Sequence, residues 1–266
     1  MDFLLECVGF PPDQPIDEVV ELVRTRGEPA AWRGDPEFHR RLALGGGLEV
    51  RIDREPEQAH WSVLPYFQPD HRLRVAVDEI RALPDSPFDA LLVGWAAPPV
   101  FDELRGERPG AYRLSLFVTD ARRLPPRLPR GHVLAVNVAA FALDVDYVGP
   151  DDGASLVDVP ERESGASIVP LGSPEDPGGC AEVSLRVKRV THLVNPFTEV
   201  RVAVLEVDAP ERPLHLFVSR WQLEQDGLPE PRPGWRIEGT FFFIGRIAGG
   251  LPRGPVGGRN GRERFG

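Results

Sequence analysis

Apolar residues recur along this chain with two spacings, and the change from one to the other divides it. Ile16, Val19, Val20 and Val23 fall at i, i+3, i+4 and i+7, one stripe of an α-helix. Pro15 stands just before the stripe, Asp17 and Glu18 lie in its first turn, and Arg24 and Arg26 close the last turn before Gly27. Acids at the N-terminal end and bases at the C-terminal end both oppose the helix dipole, so the signal is consistent at every position. A second, shorter helix is expected over 36–44, ended by Gly45-Gly46-Gly47. Leu48, Val50 and Ile52 then alternate with polar residues as in a half-buried strand, and Trp61 to Phe67 reads as another.

Beyond residue 70 strand-like apolar runs are separated by polar turns, and the landmarks come in matching order. Leu73-Arg74-Val75 answers Leu185-Arg186-Val187, and each leads to a polar turn with Pro-Phe, Pro87-Phe88 and Pro196-Phe197. An apolar strand follows in each case, Ala90 to Ala96 and Val200 to Val207. Leu114-Ser115-Leu116-Phe117-Val118 then matches Leu214-His215-Leu216-Phe217-Val218. A Pro-rich connection reaches Gly131 or Gly234 and a long strand closes each run, His132 to Leu143 and Trp235 to Ile247. The expected chain is mainly β, α+β overall, with one β module present twice. Three strands, an irregular or helical connection and a long strand is the order of a small OB-type barrel; an SH3-like barrel or a β-sandwich is the alternative. The divisions are an α+β region over 1–70, a first module over 71–148, an acidic Pro/Gly-rich linker over 149–180, a second module over 181–248 and a mobile tail over 249–266. Ala154 to Val159 within the linker has the composition of an edge strand.

Three short motifs in the first region carry a likeness. Phe3-Leu4-Leu5 followed by Val8-Gly9-Phe10, then Gly47-Leu48-Glu49-Val50, then Leu64-Pro65-Tyr66-Phe67 resemble a family of uncharacterised bacterial proteins. The resemblance implies a bacterial origin and carries no activity with it.

Charge narrows the classes of partner. The net charge is −10, from 41 acidic and 31 basic residues, and residues 142–180 hold nine acids against one arginine. An acidic chain lacks the broad basic surface that nucleic-acid binding needs, so a nucleic-acid partner is disfavoured, although the second module is close to neutral. No run approaches the 18 apolar residues of a membrane helix, and the opening residues have an acid where a secretory leader carries positive charge. Cys7 and Cys180 lie far apart with no neighbouring cysteine, which reads as two reduced thiols in a cytoplasmic protein, a disulfide between them being the alternative. Lys188 is the only lysine, so any chemistry needing a lysine amine falls to that residue.

The motifs of catalysis are missing in specific ways. A phosphate loop needs Gly-Lys-Ser/Thr, but Lys188 stands between Val187 and Arg189. Gly45-Gly46-Gly47 leads into a strand, with Val50 where a dinucleotide loop has its third glycine. Gly165-Ala166-Ser167 has Val169 in place of the closing glycine of a nucleophile elbow. Asp144-Val145-Asp146 opens like a calcium loop, yet Val148 and Ser155 stand where two oxygen ligands belong, so a solvated acidic loop is the plainer reading. His39, His60, His71 and His132 show no metal-ligand spacing. No catalytic residue, metal site or cofactor follows.

Two binding expectations remain. In the second module the alternation turns Val183, Leu185, Val187, Val202, Val204, Leu214, Leu216 and Val218 inward, which leaves Arg186, Lys188, Arg201 and His215 outside with Arg236 nearby. That face would suit an anion, an oligonucleotide or an oligosaccharide; ordinary solvated strand residues paired with glutamates are the alternative. Phe241-Phe242-Phe243 puts rings on both faces of one strand, so Phe242 needs a cover from outside its barrel: the other module or a protein partner. Together these features favour a non-enzymatic protein-binding or self-associating protein over ligand recognition by the second module, and over an enzyme whose acids or histidines converge only in the folded state.

Overall fold

The computed structural model describes residues 2–30, 37–54, 58–83, 86–100, 109–125, 128–151, 166–173 and 177–251. The chain opens with α1 (Asp2–Glu6) and α2 (Ile16–Arg26). The expected helix forms, and Val19, Val20 and Val23 are its buried stripe. Gly27 ends it for a steric reason, since a Cβ there would lie 2.4 Å from the Val23 carbonyl oxygen and 2.7 Å from that of Arg41.

A four-stranded antiparallel sheet follows, from β1 (Glu28–Pro29), β2 (His39–Gly45), β3 (Leu48–Asp53) and β4 (Ser62–Phe67). Here the expected second helix is overturned, for residues 39–45 are strand. Gly45, Gly46 and Gly47 all have positive φ (95°, 57° and 87°) and fold β2 back onto β3, with Leu42 opposite Val50. Leu42 and Leu44 both point inward at a spacing of two, so ladder pairing decides against helix propensity. The strand expected to be half-buried is buried at all six positions. Helix α2 packs on β3, and on the other side Glu49 of β3 pairs with Arg246, far along the chain.

The larger sheet has nine strands: β5 (Leu73–Leu83), β6 (Ser86–Ala96), β7 (Tyr112–Val118), β8 (Val133–Pro150), β9 (Ser167–Gly172), β10 (Pro177–Val194), β11 (Arg201–Val207), β12 (Leu214–Phe217) and β13 (Trp235–Gly249). A 3-10 turn (Ala121–Arg123) precedes β8, and α3 (Arg220–Gln225), capped by Ser219, precedes β13. The axis of the sheet is an antiparallel ribbon of β8 and β13, paired from Ala135 opposite Gly249 to Pro150 opposite Trp235. At one end of it β5, β6 and β7 close a ring, with β5 antiparallel to β8 and β7 parallel to β13. At the other end β10, β11 and β12 close a second ring, with β10 antiparallel to β13 and β12 parallel to β8. The third strand of each run thus pairs with the last strand of the other run. Each ring borrows a wall from the opposite half of the sequence.

Other differences follow from strand length. β8 continues to Pro150, β9 occupies 167–172 and β10 begins at Pro177, so strands fill described parts of the segment expected as a linker. The possible edge strand at Ala154–Val159 lies outside the described residues. Pro87-Phe88 falls within β6, whereas Pro196-Phe197 does lie in the turn between β10 and β11. All eight second-module residues expected inside are buried, none above 4% exposure. No described helix is long and apolar enough to cross a membrane.

Candidate ligand cavity

Phe241 and Phe243 are fully buried inside the sheet, and the alternation of β13 puts Phe242 on its outer face. Phe242 is half-buried, its ring 5.7 Å from that of Phe117 on β7. The cover that the sequence demanded comes in part from the chain itself. The ends of the β3–β4 and β5–β6 hairpins where their strands are joined lie beside this face, bringing Trp61, Leu64, Leu83 and Phe88 around a cavity of about 390 Å³. Such a volume lies at the lower end of the range for small-ligand sites, roughly 300–1,000 Å³.

The polar wall of the cavity is built from separate segments. Asp53, last residue of β3, and His39, first of β2, face each other across the ladder, with His39 Nδ1 2.9 Å from the Asp53 carboxylate. Both are buried, and the His39 ring meets Phe88 edge-on at 4.3 Å. The Phe88 ring also carries the Arg122 guanidinium at 3.7 Å. Ser86 Oγ donates a 2.7 Å hydrogen bond to the buried Asp89 carboxylate. Above them Arg54 lies 4.8 Å from the centre of the Trp61 ring. Sequence reading singled out Phe242 alone among these residues. Phe88 was hidden by its assignment to a turn, and the converging groups come from strands up to two hundred residues apart.

Of the five basic-face residues the fold brings Arg186 and Arg236 together on one acid and leaves Lys188, Arg201 and His215 apart from them. Arg186 and Arg236 both donate to the Asp151 carboxylate, at 2.7 and 3.1 Å. Burial works to raise the pKa of Asp151, but the two guanidinium groups outweigh it and hold the carboxyl below its ordinary value. Arg236 is itself buried and donates to Ser184 Oγ (3.0 Å), which donates to the fully buried Glu238 (2.5 Å). These two arginines neutralise acids of the sheet. Lys188 lies 3.7 Å from Asp208. Arg201 starts β11 opposite Val194, eight residues along β10 from Arg186, or roughly 25 Å of extended strand. His215 is packed between Phe67 and His71, with centroids 5.1 and 5.2 Å away. Burial, reinforced by His71, pushes its pKa down to about 4. The acids Asp151 and Asp208 were invisible as partners because pairing across a sheet is not written in local alternation.

Set against protein-family models, curated proteins and solved structures, the chain matches none of them.

Proposed function

We propose that this protein acts by binding rather than by catalysis, and that it captures a protein partner by an aromatic side chain inserted over Phe242. The observation that carries this reading is the convergence of Trp61, Phe88, Phe117 and Phe242 from four segments on one space of about 390 Å³. Interfaces draw most of their affinity from a few aromatic anchors seated in desolvated pockets. Asp53 already holds His39 and Asp89 already accepts from Ser86, so these two carboxylates are engaged, and the four converging rings favour a side-chain anchor. Supporting features are the buried Cys7 and half-buried Cys180, consistent with a reducing cytoplasm, and the N-terminal motifs that resemble a bacterial family. The recurrence of the same pairing scheme in β5–β8 and β10–β13 supports reading the two runs as diverged copies of one OB-like module.

A benzophenone amino acid placed at position 61 tests the assignment. Irradiation in an extract of the native host should yield one protein adduct, mapping to a segment with an exposed aromatic residue. The synthetic segment should bind the purified protein, with affinity at least tenfold weaker for Phe242→Ala. A partner segment that binds the variant equally well, or an adduct only with small molecules, would overturn the reading.

A further inference from the structure

A second cleft, independent of the aromatic cavity, lies on the outer face of the β10–β11 hairpin. In this ladder His192 stands opposite Ala203, Val194 opposite Arg201 and Val190 opposite Leu205. Directly opposed and alternate residues share a face, so Val190, His192, Arg201 and Ala203 form one surface. The connection from α3 to β13 borders that surface with Pro231 and Pro233, and α3 adds Arg220 and Leu223. The cleft holds a space of about 370 Å³ and stays open to solvent on the side of the exposed Arg201 and Arg220.

The charges of this cleft are arranged differently from those elsewhere on the ring. Arg186, Lys188, Arg189 and Arg236 each hold a carboxylate. Arg201 has no hydrogen bond or ion pair to any described residue. Arg220 lies 6.0 Å from the centre of the Trp221 ring and pairs with Glu224, one helical turn away at the exposed surface (2.8 Å), a pairing of the kind that contributes little and exchanges readily. His192 registers the resulting field: desolvation first, then the positive charge of Arg201, lower its pKa, while Glu230 acts in the opposite sense. Beneath these groups the floor is apolar, with Val190, Ala203, Val218 and Leu223. An unpaired guanidinium beside an apolar floor favours an anion whose body is hydrophobic, because the carboxylate gains a charge-assisted hydrogen bond and the body removes apolar surface from water. Glu230 on the cleft wall makes a second negative charge on the ligand unfavourable.

We propose that this cleft binds a small monoanion with an apolar body, its carboxylate held by Arg201 and Arg220 and its chain lying on Val190, Ala203, Val218 and Leu223. A free aliphatic acid and the C-terminus of an apolar peptide share that chemistry. Titration calorimetry of the full chain with octanoate and with N-acetyl-Leu-Leu separates the two sources; octan-1-ol and octylammonium serve as neutral and cationic controls. The expected result is saturable one-site binding of at least one of the two acids. That binding should weaken at least tenfold in Arg201→Gln and remain unchanged in Arg130→Gln, an exposed arginine of the other ring. Circular dichroism and Tm on each variant separate lost binding from lost folding; if Arg201→Gln does not fold, Arg220→Gln carries the same expectation. Failure of both acids to bind, equal binding of octan-1-ol, or undiminished affinity in a folded Arg201→Gln protein would overturn the proposal.

Discussion

The two rings should melt as one unit, because neither owns a complete wall. Leu92 on β6 and Leu205 on β11 are fully buried, one in each ring. Truncating either to alanine removes transfer free energy and leaves a cavity, together costing about 2–5 kcal/mol. For a chain of this size each kcal/mol lowers Tm by roughly 2–4 °C, so a loss of about 3 kcal/mol corresponds to roughly 6–12 °C. The consequence specific to this topology concerns which transition moves. If the first ring opened alone, the edge of β8 that pairs with β5 and the edge of β13 that pairs with β7 would lose their partners. Unpaired main-chain groups in the same ribbon that walls the second ring then weaken that ring too. Leu92→Ala and Leu205→Ala should therefore each shift one common transition, by comparable amounts. Scanning calorimetry, checked by urea unfolding followed by circular dichroism and by tryptophan fluorescence, measures this directly. A trace in which Leu92→Ala lowers one step while a second step stays at the wild-type temperature would refute the reasoning.

Two further outcomes follow from buried titratable groups. His215 has a folded pKa of about 4 against an ordinary 6.5, and the groups facing it are His71, Asp70, Glu206 and Arg189. The unfolded chain takes up this proton more readily, so the stability that the neutral ring contributes is complete above about pH 6.5 and is lost as pH falls towards about 4. Urea midpoints at pH 7.5 and 5.0 should differ less in His215→Phe than in the wild type; an equal difference would count against this. Burial pushes the Cys7 thiol up to about 12, and its Sγ lies 3.5 Å from the Ala142 carbonyl oxygen. Since the thiolate is the reactive form, a disulfide reagent at pH 8 should modify at most Cys180 in the native protein and both cysteines in denaturant; rapid native modification of both would contradict the burial described here.

Elements with a strong local period were legible from composition alone. The stripe of Ile16, Val19, Val20 and Val23 marked α2, and apolar runs or alternation marked β4, β6, β7, β11, β12 and β13 along with the inward residues of the second ring. The failures have a common cause. Residues 39–44 carry a short pattern that both a helix and a strand satisfy, and the three positive-φ glycines after them, by returning the chain onto β3, decided between the two. Strand β9 and the far end of β8 lie in polar, Pro- and Gly-rich sequence, where membership of a sheet depends on a neighbour being present.

By itself the sequence determined which residues are apolar on which face, and through that the mainly-β class, the first long helix, and the need for Phe242 to be covered. Only the tertiary structure decided what lies opposite each face: Asp151 against Arg186 and Arg236, Trp61 and Phe88 beside Phe242, His71 on His215, and Arg201 with no acid paired to it among the described residues. The physical reason is that periodicity is set by backbone geometry over two to four residues. Partnership is settled by which strand edges close on which, here by two long strands that each complete the ring of the other half.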